Sequence, residues 1–276
     1  MKKQAAFAPP APLGYGRRMV IAAVLAGLPL LALMAIAVLY AVDCRRSDTG
    51  PESMPTGAAV GAFLHEWLAV LAWLGAAPFR VRRAAGELPA RGVAVFIPEL
   101  HGSSGGFWYL RRRLRAAGWD SIAGAEHIGR ASGQDVMAAL DARIAALAIG
   151  TELVLIGHGI GGRLALRYAE ARAALPIRHV VTLATPHRGS DALPYRLLAA
   201  AQHGLPPACH TPGADVIAVY SEFDAWLRPL DGAYCPGAFN IAVRGIGHCA
   251  VLLSRRVADL IVENLTAPAP SRRGAP

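Results

Sequence analysis

Lysine is almost absent from this 276-residue chain, and cysteine is scarce. Only Lys2 and Lys3 are lysines, so arginine carries nearly all of the net charge of +9. The four cysteines include no C-x-x-C pair, which argues against a structural zinc site. The basic residues form no nucleic-acid-binding motif, and the sequence contains no internal repeat. The sequence therefore predicts no cofactor, no metal and no nucleic-acid partner, and its charge favours a surface near acidic lipid.

Charged residues are also absent from the segment 19–42. A helix of that length extends about 36 Å, which exceeds the roughly 30 Å thickness of a bilayer core. The apolar region of a cleaved signal peptide is only about 7–15 residues long, so the segment predicts an uncleaved transmembrane helix. Residues 1–18 are predicted to be a disordered tail, and their basic residues favour a cytoplasmic N-terminus.

A second hydrophobic stretch, residues 58–79, lies within a juxtamembrane region, 43–90. One face of the predicted helix carries five apolar residues: Phe63, Trp67, Val70, Leu71 and Leu74. A glutamate near the middle of a span costs about 3 kcal/mol, so Glu66 and the adjacent His65 disfavour insertion. We expect this helix to lie on the membrane or pack on the main domain. A single span would place the domain outside and a hairpin would return it to the cytoplasm; the sequence leaves both open.

Apolar runs alternate with helical patterns across residues 91–266. This alternation is typical of an α/β protein with a mostly parallel sheet and helices on both faces. Strands are predicted at 93–97, 153–156, 180–183, 216–220 and 239–243. Helices are predicted at 106–117, 135–147, 162–171 and 249–265. Residues 80–91 are predicted to be a linker, 191–215 a cap, and 267–276 a disordered tail.

The most informative segment is the turn Gly157-His158-Gly159-Ile160-Gly161, which joins a predicted strand to a predicted helix. This is the context of a nucleophile elbow, whose motif is G-x-S-x-G. Gly159 stands at the position of the serine, so the nucleophilic hydroxyl is missing. Glycine tolerates the strained backbone of such a turn, and the scaffold can therefore persist after the chemistry is lost.

Three further patterns each follow a predicted strand. Along the chain, the elbow comes first, then the pattern with a candidate acid, and then the pattern with a candidate histidine. The three patterns are the segment 182–190 (TLATPHRGS), the segment 220–229 (YSEFDAWLRP) and the segment 245–248 (GIGH). With these patterns, residues 91–266 resemble the α/β-hydrolase fold in its lipase/esterase branch. The apolar N-terminal region resembles that of membrane-attached bacterial lipase-like proteins. The resemblance implies a protein of the bacterial cytoplasmic (inner) membrane with membrane lipid as a partner.

The resemblance assigns catalytic positions to three residues. Asp224 matches the acid of a catalytic triad, and His248 matches the base that the acid orients. Gly159 matches the nucleophile, with the serine absent. His158 is the ordinary residue before the nucleophile, and its expected role is structural. A turn or helix-capping aspartate is the alternative interpretation of Asp224.

The loop after the first strand departs from the pattern, because Pro98-Glu99-Leu100 precedes the expected His-Gly. If His101-Gly102 fills the expected position after a local insertion, the N–H groups of Ser103 and Ile160 would form the oxyanion hole. If the chain aligns without a gap, Glu99-Leu100 fills it instead. A carboxylate would then lie where a developing oxyanion must be stabilised.

Other polar residues near the predicted site are interpreted as structural. Ser103, Ser104, Ser190 and Cys249 are expected in turns or caps, and His187 is expected to tether the loop after its strand. Arg111, Arg112, Arg113 and Arg115 lie on a helix whose Leu110 and Leu114 should face inward. A solvated basic face is the simpler interpretation of these arginines, and contact with anionic lipid is the alternative.

Two functional hypotheses follow. The first is a membrane-anchored, non-catalytic lipase/esterase-like protein that binds a lipid, an acyl ligand or a protein partner in the former active-site pocket. Its basis is Gly159 together with the altered oxyanion loop. The second is a carboxylester hydrolase in which His248 activates water or a displaced serine attacks. Its basis is the intact pair of Asp224 and His248.

Overall fold

A sheet of six parallel strands forms the centre of the computed structural model, in the order β2-β1-β3-β4-β5-β6. The strands are β1 (Gly92–Ile97), β2 (Trp119–Ala123), β3 (Leu153–His158), β4 (Ile177–Leu183), β5 (Asp215–Ser221) and β6 (Phe239–Val243). Every residue of β1 and β3 is buried. Because alternate side chains of a strand point to opposite faces, this pattern requires both faces to be covered.

Five α-helices accompany the sheet in the described part of the chain. They are α1 (Thr56–Ala76), α2 (Trp108–Ala116), α3 (Gly133–Ala145), α4 (Ile160–Ala171) and α5 (Arg255–Thr266). Short 3-10 turns occupy Ser104–Phe107, Leu230–Ala233 and Ala250–Leu252. Helix α2 packs against β2 and α5, and α4 packs against β3, β4 and α3. The parallel strands end at one edge of the sheet, where the loops after β1, β3, β5 and β6 meet.

The structure describes residues 27, 29, 31–35, 37, 56–79, 91–100, 102–126, 128, 133–192, 211, 213–227 and 230–266. Outside these residues lie the predicted tails, most of the predicted span 19–42, His101 and most of the predicted cap 191–215. Within them, no helix combines the length and the apolar character that a membrane crossing requires.

All five predicted strands are present, but β2 was not predicted from the sequence. Its sequence Trp119-Asp-Ser-Ile-Ala123 contains no continuous apolar run, because the polar residues Asp120 and Ser121 lie within it. The closing helix also differs from the prediction 249–265. A 3-10 turn precedes Ser254, whose hydroxyl accepts a hydrogen bond from the N–H of Val257 (3.4 Å), and α5 begins only at Arg255.

Helix α2 has the predicted orientation, with Leu110 and Leu114 buried. Arg113 forms an ion pair with Asp259 of α5. Arg112 and Arg115 are exposed, as a solvated basic face predicts.

Helix α1 packs on the 3-10 turns after β1 and β6, as expected of a helix that packs on the main domain. Its buried positions are Ala62, Glu66, Ala69 and Val70, whereas Leu74 is 45% exposed. The predicted face is confirmed in part, because Phe63 and Trp67 pack against the core beside Val70. The buried side also includes Glu66, whose carboxylate faces the domain and accepts backbone hydrogen bonds there. Hydrophobic periodicity assigns such a residue to the solvent side.

Candidate active site

The elbow between β3 and α4 has the geometry that its sequence predicts. Gly159 links the two elements with φ of 54° and ψ of −125°, a left-handed conformation that strains other residues. The glycines around it allow close backbone contact: a Cβ on Gly161 would collide with the carbonyl oxygens of Ile97 and Pro98. A Cβ on Gly157 would likewise collide with the backbone of Gly161 and Gly162. The elbow is thus held tightly against the end of β1.

Asp224 and His248 meet beside this elbow. The Nδ1 atom of His248 lies 2.9 Å from Oδ2 of Asp224, and both side chains are fully buried. The second oxygen of Asp224 accepts a hydrogen bond from the N–H of Trp226 at 2.8 Å. The indole of Trp226 stacks on the imidazole with a centroid separation of 5.0 Å. These contacts fix the orientation of the imidazole, so its Nε2 is the nitrogen directed away from the aspartate.

The position opposite Nε2 of His248 is occupied by Glu99. Its Oε2 lies 3.6 Å from that nitrogen and accepts a hydrogen bond from the N–H of Ile160 at 3.2 Å. Its Oε1 accepts a hydrogen bond from the N–H of Leu100 at 2.8 Å. The structure therefore has the ungapped arrangement, in which Glu99 and Leu100 fill the loop position after β1.

Ser103, the other residue expected to line an oxyanion hole, has different partners. Its hydroxyl donates to the carbonyl oxygens of Ala76 and Phe79 at the end of α1, at 3.4 and 3.3 Å. The structure brings the N–H of Leu100 together with that of Ile160 around one carboxylate. A Cβ on Gly106 would lie 2.8 Å from Cδ1 of Trp73, so the 3-10 turn after Ser103 is also pressed against α1.

Burial and charge act in opposite directions on the central groups. Burial alone would lower the pKa of His248, but the carboxylates of Asp224 and Glu99 raise the pKa to about 10. Burial would raise the pKa of Glu99, and the hydrogen bond and charge of His248 lower the pKa below its usual value. His248 is therefore an imidazolium at neutral pH, located between the side chains of Asp224 and Glu99.

His158 borders the same cluster. Its Nε2 lies 3.0 Å from the carbonyl oxygen of His248, and the two rings are 4.7 Å apart between centroids. Burial and the nearby charge of His248 lower the pKa of His158 to about 4, so the ring is neutral at neutral pH. One ligand-type atom from each of Glu99, His158 and His248 lies within 4.8 Å of the others. This set is the metal-binding candidate among the described residues.

Glu66 of α1 is a site residue that the sequence did not reveal. Its carboxylate accepts hydrogen bonds from the N–H groups of Cys249, at 2.9 and 3.1 Å, and Ala250, at 2.9 Å. A Cβ on Gly247 would collide with this carboxylate. Glu66 therefore braces the loop that carries His248 from both sides. Its central position in an apolar helix was the available signal, and the sequence interpretation treated it only as an obstacle to membrane insertion.

The Glu66 contact predicts a measurable pH dependence of stability. Burial raises the pKa of Glu66 from 4.5 to about 6, so the folded protein binds this proton more tightly than the unfolded chain. The contribution is fully present below pH 4.5 and is lost as the pH rises to about 6. Relative to Glu66→Gln, the wild type should lose about 2 kcal/mol of unfolding free energy between these limits. Denaturant titrations across the range measure the difference, and parallel curves for the two proteins would contradict it.

The remaining candidate nucleophiles have other contacts. The hydroxyl of Ser190 donates to the carbonyl oxygen of Trp226 at 2.8 Å, and the hydroxyl of Ser104 is bonded to Glu126. Burial, together with the charge of Glu66, raises the pKa of the Cys249 thiol well above its usual value, which makes it a poor nucleophile. His187 lies 3.1 Å from the hydroxyl of Thr182, consistent with the tether predicted for it.

No protein-family model and no curated protein matches the chain. Among solved structures, Est1E from Butyrivibrio proteoclasticus is 14% identical with a TM-score of 0.51, covering 66% of this chain and 91% of that one. A carboxylesterase from the ammonia-oxidizing thaumarchaeon Nitrososphaera gargenis is 15% identical with a TM-score of 0.51, covering 67% and 93%. Likeness at such identities concerns the fold alone. It confirms the expectation drawn from the sequence patterns: this chain has the α/β-hydrolase fold.

Proposed function

We propose that this protein is a membrane-associated, non-hydrolytic member of the α/β-hydrolase fold that holds a lipid or acyl ligand rather than cleaving an ester. The observation that carries the proposal is the carboxylate of Glu99 between the N–H of Ile160 and Nε2 of His248. Two requirements of ester hydrolysis by a serine mechanism are unmet at this position: a nucleophile and a vacant oxyanion site.

The nucleophile is the first of these requirements. Gly159 has the backbone geometry of an elbow residue but no side chain to attack a carbonyl. In a serine hydrolase, loss of the nucleophile reduces kcat by roughly 10⁶. The pair of Asp224 and His248 then has no hydroxyl to activate at the elbow.

The oxyanion site is the second requirement. An oxyanion must lie about 2.7–3.1 Å from its N–H donors. Oε2 of Glu99 already accepts the N–H of Ile160 at 3.2 Å. A substrate oxygen would have to displace this carboxylate, and a negative charge developing beside it would be repelled in a buried site. The local electrostatics thus oppose the transition state of acyl transfer.

Membrane association has support from the outward face of α1. Four of its apolar side chains are at least 45% exposed: Val60, Leu64, Leu68 and Leu74. Phe79, just beyond the helix, is 68% exposed. A contiguous apolar surface exposed to solvent is typical of an interaction site. The uncharged segment 19–42 precedes this helix in the chain. We propose that this face of α1 lies against lipid.

The alternative, a carboxylester hydrolase, has one observation in its favour, which is the 2.9 Å contact between Asp224 and His248. Comparison of the wild type with His248→Ala on short- and long-chain esters separates the two functions. We expect no turnover above background from either protein and no serine labelled by an active-site phosphonate. Turnover by the wild type that disappears in His248→Ala would establish the hydrolase instead.

A further inference from the structure

We propose that Glu99, His158 and His248 form a binding site for a divalent first-row transition metal ion of the zinc class. One ligand-type atom of each residue lies within 4.8 Å of the other two. All three side chains are buried. Two imidazoles and a carboxylate form a ligand set that suits zinc and its neighbours in the transition series. This inference goes beyond the proposed function, because metal binding can be measured without any ester.

Each of the two imidazoles has one ring nitrogen held by an acceptor of the kind found behind metal-binding histidines. Metal-binding histidines donate their other ring N–H to a carboxylate or a backbone carbonyl. His248 has this arrangement through Nδ1 and Asp224, at 2.9 Å. His158 has it through Nε2 and the carbonyl oxygen of His248, at 3.0 Å. In His158 the carbonyl acceptor fixes the tautomer, so its Nδ1 carries a lone pair.

The remaining nitrogen of His158 is an independent sign of a ligand. Its Nδ1 is buried and has no hydrogen-bond partner among the described residues. Buried polar atoms are nearly always paired, so such an atom needs an explanation. A metal ion bound by this cluster would supply a partner to the lone pair of His158.

Distances and charge also fit an ion. Ligands about 2.1 Å from a tetrahedral zinc ion are about 3.4 Å from one another. Nε2 of His248 and Oε2 of Glu99 are already 3.6 Å apart. The carboxylate of Glu99 is itself held by the N–H groups of Leu100 and Ile160, as ligating carboxylates are in metal sites. A divalent ion that displaces the proton of His248 would supply the positive charge beside the buried side chains of Glu99 and Asp224.

The test uses the full-length protein, stripped with a chelator and titrated with Zn²⁺. We expect one ion per chain and a rise in Tm of about 5 to 10 °C at a zinc concentration about a hundredfold above Kd. Glu99→Gln and His158→Gln should each weaken zinc binding by more than about 100-fold, and Asp224→Asn by about 10- to 100-fold. His187→Gln removes a buried imidazole elsewhere and should leave the affinity unchanged.

X-ray absorption spectroscopy of the zinc-loaded wild type tests the same site without any variant that could misfold. We expect a first shell of nitrogen and oxygen atoms only, including two imidazoles. A shell containing sulfur would place the ion on cysteine and overturn the assignment. The assignment also fails if the wild type binds no zinc, or if folded Glu99→Gln and His158→Gln, checked by circular dichroism, bind it as tightly as the His187→Gln control.

Discussion

Gly159→Ser combined with Glu99→Ala is expected to turn this protein into an ester hydrolase, with turnover at least about 10³-fold above the wild type. The serine restores the nucleophile, whose loss costs roughly 10⁶ in a working triad. Its hydroxyl would arise beside an imidazole already oriented by Asp224 at 2.9 Å. Removing the Glu99 carboxylate frees the N–H of Ile160 to stabilise an oxyanion. Hydrolysis of a short-chain chromogenic ester measures the gain.

The single variants divide this effect between its two causes. Gly159→Ser alone keeps the carboxylate on the oxyanion donor, so we expect it to be about 10²- to 10³-fold slower than the double variant. Glu99→Ala alone has no nucleophile and should remain inactive. Adding His248→Ala to the double variant should abolish the gain. If that triple variant were as fast as the double variant, the activity would not come from the predicted triad.

The sheet could be predicted from the sequence because its signals are local. The run from Leu153 to Ile156 is apolar and continuous, and it forms β3 with two further residues at its end. The segment Phe239–Val243 is a strand with the predicted bounds. Strand β2 was missed since the polar residues Asp120 and Ser121 interrupt its apolar run. The order of Gly159, Asp224 and His248 along the chain also pointed to their meeting, because each follows a parallel strand.

The parts of the site that the sequence left open depend on contacts between distant segments. The sequence allowed either His101-Gly102 or Glu99-Leu100 in the oxyanion loop, and only the position of the N–H of Ile160, 61 residues away, selects Glu99. The role of Glu66 depends on a loop 183 residues away in the chain. A local pattern contains no information about either partner. Buried charges that bond to remote backbone groups are therefore the features that sequence reasoning interpreted wrongly or not at all.

The acidic residues of the candidate site share one physical property. Glu66, Glu99 and Asp224 are each 5% exposed or less, and each is tied to backbone N–H groups or to His248. Burial of ionised groups is favourable only when hydrogen bonds or opposite charges compensate for lost hydration. The cluster thus joins α1, the loop after β1 and the loops after β5 and β6 into one unit. Loss of His248 would remove the opposite charge that Asp224 and Glu99 share.

Gly161→Ala is expected to destabilise the protein by about 3 kcal/mol or more, although alanine is normally the better helix former by about 1 kcal/mol. A methyl group at this position of α4 would overlap the carbonyl oxygens of Ile97 and Pro98, which belong to backbone that cannot move without shifting β1. Gly133→Ala is the matched control, because the space around the Cβ position of this helical glycine is open, and it should be neutral or slightly stabilising. Urea denaturation of the two variants measures the contrast. Equal stabilities would mean that α4 can move away from β1. Close packing of the elbow against β1 would then not be what holds Gly159 in position.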